Sequence, residues 1–121
     1  MRSLLIACLL AATCCNAVAA PYTATGTVTN VQSVDPSTST TYYPGSALGD
    51  WFVLSGFTAA GNCHKADTGQ ILVEVKNDVA GRRQYTTVLT AMTLGRTVSI
   101  AIDDSNRDAN GYCYLVAMRL N

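Results

Sequence analysis

The chain has 121 residues, with eight Lys plus Arg, eight Asp plus Glu, and only 13% charged side chains against 49% hydrophobic ones. No basic run exists beyond Arg82-Arg83, which argues against nucleic-acid binding, because that needs a concentrated positive face. The length suits a single domain.

The first element is a leader. "MRSLLIACLLAATCCNAVAA" opens with Arg2, runs through an apolar block from Leu4 to Ala12, and ends in small residues. Ala17-Val18-Ala19 is an A-x-A cleavage signal, so the layout is that of a secretory signal peptide. The apolar block is short of the roughly 20 residues a membrane-spanning helix needs. The expectation is a cleaved leader over 1–19 and one soluble domain over 20–121, secreted or periplasmic, with no membrane insertion. Cys8, Cys14 and Cys15 leave with the leader, and Cys63 and Cys113 remain. Two cysteines in an oxidising compartment pair by default. Their bridge closes a loop of about 50 residues, worth about 4 kcal/mol in the chain-entropy view.

"YTATGTVTNVQSV", Tyr22 to Val34, is rich in Thr and Val and predicts a long strand. "DPSTSTTYYPGSALGD" is a turn-rich loop that carries Tyr42 and Tyr43. "WFVLSGFTA", Trp51 to Ala59, predicts a second strand with apolar residues on both faces. Gly56 within it predicts a bulge or sharp bend. In "ILVEVKND", Ile71, Val73 and Val75 alternate with Glu74 and Lys76, the pattern of a half-buried third strand with its charges outward.

The period then changes. Tyr85, Val88, Leu89 and Met92 fall on one face of a helix. Asn77 or Asp78 can cap its start, and Gly95 suits its end. Its threonines lower its intrinsic propensity, so packing must hold it. "TVSIAIDD" returns to period two, with Val98, Ile100 and Ile102 on one face. "SNRDANG" predicts a polar hairpin loop. "YCYLVAMRL" predicts the last strand, with Tyr114, Val116, Met118 and Leu120 on one side.

His64, the sole histidine, stands beside Cys63 in "GNCHKADTG". A Cys/His catalytic pair needs a free thiolate, which a disulfide removes, and zinc needs four ligands. His64 therefore reads as an exposed loop residue. Asp104, Asn106 and Asp108 have calcium-loop spacing. Ala109 stands where that loop needs Gly, and Leu115 where it needs Glu, so an ordinary Asx-rich turn is expected and calcium stays a weak candidate. Ser46 and Ser55 lie in no nucleophile motif. Asp103 and Asp104 read as solvated strand-end acids. No catalytic residue, no enzyme activity and no cofactor are predicted.

Aromatic rings suit sugars, because a ring face packs on a sugar's apolar face. Tyr42, Tyr43, Trp51, Tyr22 and Tyr112 are the ligand-binding candidates. The helix from Gln84 to Gly95 bears no charge. A solvent-facing helix normally does, so Thr86, Thr90 and Thr93 are candidates for an interface between copies.

The order strand-strand-strand-helix-strand-strand predicts a mainly β fold: an OB-like (oligonucleotide/oligosaccharide-binding) five-stranded barrel with one helix between strands 3 and 4. An α+β sheet with one covering helix is the competing architecture. The stretch from Glu74 to Leu115, with its Tyr-bearing helix, Gly turn, "GRTVSIAIDD" and "NGYCYL", resembles small exported bacterial proteins. That layout is similar to the binding (B) subunits of AB5 toxins of the pertussis and subtilase type. The resemblance implies a secreted glycan-binding or cell-surface-binding module, possible assembly into a homo-oligomeric ring, and a possible toxin A subunit as partner. It maps no sugar-contacting residue onto this chain. The alternatives are a periplasmic envelope or stress protein binding a small ligand or cation, and a secreted inhibitor.

Overall fold

The computed structural model describes residues 21–34 and 49–121. Residues 1–20 and 35–48, which include the expected leader and Tyr42, Tyr43 and Ser46, lie outside the described residues. The elements are β1 (Tyr22–Gln32), β2 (Asp50–Leu54), β3 (Leu72–Val75), α1 (Val79–Leu94), β4 (Thr97–Arg107) and β5 (Cys113–Leu120). This is the element order expected from the periodicity.

The strands form one mixed sheet, with neighbours in the order β1-β2-β3-β5-β4. β1 serves two partners. Tyr22–Thr27 pair with β4, and Val28–Gln32 pair with β2 across a register shift between Val28 and Asn30. Gly26 stands at the handover. A Cβ there would lie 2.8 Å from the Ser55 carbonyl oxygen, so a side chain would collide with backbone. β2 pairs antiparallel with β3, β3 parallel with β5, and β5 antiparallel with β4.

Two boundaries and one burial pattern differ from expectation. β2 stops at Leu54, because Gly56 takes φ +73° and turns the chain. β4 runs on to Arg107, so much of the predicted "SNRDANG" loop is strand and the turn proper is 108–112. On β3, Glu74 is not outward in solvent but 1% exposed, and Leu72 is buried too. Both faces of β3 are covered. One faces the main core, built from Phe52, Leu54, Ile71, Val73, Val98 and Ile102. The other faces a second layer made by Trp51, Val53, Leu72 and Tyr112.

α1 starts at Asp78, whose carboxylate accepts from the Gly81 amide at 2.7 Å, and ends at left-handed Gly95. Its packing face keeps Tyr85 and Val88 of the expected one but not Leu89 and Met92. Gly81, Val88 and Ala91 are buried, whereas Leu89 and Met92 are 41% and 42% exposed. The reason is closeness. A Cβ on Gly81 would collide with the Lys76 carbonyl oxygen, so the first turn of α1 lies against the chain that leads into it, and buried Gly81, Val88 and Ala91 mark the covered side. Cys63 and Cys113 form a disulfide with Cα atoms 5.4 Å apart. Among the described residues no helix is long and apolar enough to cross a membrane.

Candidate functional site

On β1, inward-facing Ala24 and Val28 pack on the core, so Thr23 and Thr25 face out. The same alternation puts Ser99 and Ala101 outward on β4, and Ala117 and Arg119 outward on β5. Together these small and polar side chains line an open groove of about 400 Å³. A hydrogen-bonded line crosses it. Thr25 Oγ1 and Ser99 Oγ are 2.8 Å apart, Asn121 Nδ2 donates to Ser99 Oγ at 3.0 Å, and Arg119 Nε donates to Asn121 Oδ1 at 3.3 Å. Arg96 Nε fixes the end of the line by donating to the Asn121 carbonyl at 2.6 Å. Hydroxyl, amide and guanidinium are thus held in place with little side-chain bulk over them. Such a surface can exchange hydrogen bonds with a hydroxyl-rich ligand or hold an anion at Arg119.

The second concentration of chemistry is the layer on the far side of β3. Glu74 has Trp51 as its register partner on β2 and Tyr114 as its partner on β5. Its carboxyl faces that of Asp108; burial first, then the charge of Asp108 and the proton the two carboxyls can share, push Glu74 from its ordinary 4.5 up to about 8. Burial raises Tyr112 and Tyr114 as well, with Asp108 adding to both. Lys76 Nζ sits 5.3 Å from the centre of the Tyr114 ring, a cation–π contact. Asp108 organises the β4–β5 turn: its Oδ1 accepts from the amides of Asn110 and Tyr112 at 2.9 and 2.8 Å.

The residues singled out from sequence are scattered over these surfaces. Trp51 and Tyr112 are 9% and 8% exposed. They meet in one cluster, but their rings are covered rather than offered as an open platform. Tyr22 is 38% exposed at the start of β1. The structure places it with Asp104 beside Gly61, where an added Cβ would press on both. Thr86, Thr90 and Thr93 are exposed on α1. Each hydroxyl donates to the carbonyl four residues back, at 2.8 to 2.9 Å, and Thr87 does the same at 3.1 Å. These threonines therefore present methyl groups and no free donor.

Asp104, Asn106 and Asp108 do not converge. Asp104 Oδ2 accepts from the Asn62 amide at 3.2 Å while Asp108 serves its own turn. Among the described residues no group of three or more His, Cys, Asp or Glu is placed to hold a metal ion. Asp103 is exposed. The hydroxyl and amide of Ser105 hold its carboxyl below the usual range. His64 stacks on Tyr112 and contacts Asn110 O through Nδ1 at 2.8 Å. A carbonyl only accepts, so Nδ1 carries the proton.

Sequence reading missed Ser99, Asn121 and Arg119, because which outward residues of separate strands share a groove depends on register. It also missed Glu74, although a lone acid inside the apolar run "ILVEV" was a visible signal. Compared with known proteins, the chain matches no family model, no curated protein and no solved structure.

Proposed function

We propose that the chain is an exported, non-enzymatic binding module that recognises glycans or a glycan-bearing cell surface. The observation that carries this reading is the Thr25–Ser99–Asn121–Arg119 line across the open groove. Glycan recognition needs many positioned hydrogen-bonding groups and little bulk over them, and this groove has both. The Cys63–Cys113 bridge fits an oxidising compartment. The leader signature at Ala17-Val18-Ala19 fits export.

The finer fold reading belongs here too. The circuit of strand pairings that returns from β4 to β1, with α1 between β3 and β4, favours an OB-like barrel. The toxin-subunit resemblance, carried by the stretch from Glu74 to Leu115, agrees with that topology. With it comes the proposal of a homo-oligomeric ring and an enzymatic A subunit as partner. The neutral face of α1 is the candidate interface: Leu89, Met92 and Leu94 are exposed beside the back-bonded threonines.

The test is a glycan array on the leader-free protein, followed by Ser99→Ala and Arg119→Ala. Each substitution removes a hydrogen bond worth about 1 kcal/mol, so affinity should fall about fivefold or more, with the melting temperature within a few degrees of wild type. An empty array, or binding that neither substitution weakens, overturns the reading.

A further inference from the structure

A second device is built into the layer beyond β3, and it does not depend on what the groove binds. Glu74 Oε2 and Asp108 Oδ2 are both buried, and neither meets a hydrogen-bond donor while both carboxyls are ionised. Two carboxylates in contact also repel. Both difficulties vanish together if one proton sits between them, because Glu74 then donates to Asp108 and each oxygen has a partner.

Asp108 is not a free acid. Through Oδ1 it holds the amides of Asn110 and Tyr112, and its own amide donates to Tyr112 O at 2.8 Å. Whatever holds Oδ2 therefore holds the whole turn 108–112 against β3. Tyr112, at the end of this turn, closes the cluster containing Trp51, Val53 and Leu72.

We propose that the Glu74–Asp108 carboxyl pair is a proton-operated latch. With one shared proton it clamps the 108–112 turn over Trp51. When that proton is lost to solvent, the two carboxylates push the turn outward and uncover the aromatic layer.

The surroundings set how far the turn can move: the His64 stack on Tyr112 and the His64 bonds to Asn110 O and Gly111 O give way when it lifts. From β5, Tyr114 faces the pair, and it titrates above its ordinary 10, as Tyr112 does. Just past the end of β3, Lys76 lies over the Tyr114 ring. From β2, the register partner is uncharged Trp51, while Asp50 acts on Tyr85 of α1. His64 and Asp67 stand beyond Tyr112. The disulfide at Cys113 anchors the base of the turn, so the turn can lift without releasing β5. The opened layer would present Trp51 and Tyr112 as ring faces for a ligand with an apolar face.

Trp51 is the chain's one tryptophan and reports directly. The experiment is acrylamide quenching of its fluorescence from pH 6 to 9, with far-UV circular dichroism recorded alongside. Wild type should show a severalfold rise in quenching with a midpoint near 8 and an unchanged far-UV spectrum. Glu74→Gln keeps a donor toward Asp108 without a charge, so its quenching should stay low and flat. Asp108→Asn gives ionised Glu74 a donor and keeps Oδ1, so it should also be flat. It carries the test if the first variant does not fold. His64→Asn should titrate like wild type. Flat quenching in wild type, titration that survives in both carboxyl variants, or titration abolished by His64→Asn would each overturn the latch.

Discussion

The imidazole of His64 lies on the ring of Tyr112, with centroids 5.0 Å apart and planes 17° from parallel. The same ring donates from Nδ1 to Asn110 O at 2.8 Å, and the His64 amide donates to Gly111 O at 2.9 Å. His64 is therefore a clasp between the Cys63 loop and the 108–112 turn. His64→Ala removes the stacking and the side-chain hydrogen bond but leaves the backbone bond. The expected loss is about 1–2 kcal/mol in urea unfolding. A change under about 0.5 kcal/mol, the scale of ordinary surface substitutions, would mean the clasp carries no load.

The disulfide beside it closes a separation of 50 residues. Reduction, or the Cys63→Ala/Cys113→Ala double variant, should lower stability by about 4 kcal/mol. For a domain of this size that is a large fraction of the total. Intact-mass alkylation of protein purified from an oxidising compartment without reductant should add no mass. Two added alkyl groups would contradict a closed bridge in the native chain.

Glu74 makes stability depend on pH in an unusual direction for an acid. Its folded value lies near 8, above its ordinary 4.5, so between those limits the folded state holds the proton more tightly than the unfolded chain. Stability from this group is fully present below about 4.5, falls as pH rises, and is lost above about 8. The slope reaches at most about 1.4 kcal/mol per pH unit. Denaturant midpoints at pH 5, 6.5 and 8 should fall in that order for wild type. Glu74→Gln should flatten the trend, and a wild-type midpoint that rises from pH 5 to 8 contradicts the assignment.

The same residue marks where sequence reading stopped. The alternation Ile71, Val73, Val75 correctly located β3 and its core face. Alternation assigns the opposite face to solvent only when nothing covers it, and here the turn from Asp108 to Tyr112 lies over Leu72 and Glu74. That cover comes from more than thirty residues downstream, through a parallel β3–β5 pairing that matches Glu74 with Tyr114, and no local pattern announces it. Asp78 and Gly95 were legible as caps because capping is local chemistry. Half of the expected packing face of α1, Tyr85 and Val88, packs on the core, and Leu89 and Met92 do not, for a related reason. Periodicity ranks residues by apolarity, whereas the seam is set by closeness of approach, which favours Gly81 and Ala91 over Leu89 and Met92.

Gly81 gives a direct check on that seam. A Cβ would meet the Lys76 carbonyl carbon at 2.7 Å as well as its oxygen. Gly81→Ala should therefore destabilise the protein by about 2–3 kcal/mol, the usual cost of overpacking. It does so despite alanine's better helix propensity of about 1 kcal/mol. Asp78→Ala, which loses only the cap to the Gly81 amide, should cost about 1 kcal/mol. If Gly81→Ala proves neutral in thermal unfolding, α1 does not lie as close to Lys76 as described.

The outer face of α1 yields the assembly prediction. Leu89 and Met92 are about two-fifths exposed and Leu94 is 62% exposed. Thr86, Thr87, Thr90 and Thr93 have turned their hydroxyls onto carbonyls of the preceding turn. No charged side chain occurs from Gln84 to Gly95. A surface that is apolar, free of unmet donors and lacking charge costs little to desolvate and has nothing to repel a second copy. Under the proposed ring, this face packs against a neighbouring subunit. Thr90→Arg places a charge at its middle, where burial without a partner is costly. Light scattering at tens of micromolar should then give an oligomer for wild type and a monomer for Thr90→Arg, with matching circular dichroism spectra. A monomeric wild type ends the ring proposal. An oligomer that withstands Thr90→Arg moves the interface off this helix, because a buried unpaired guanidinium would not leave the association intact.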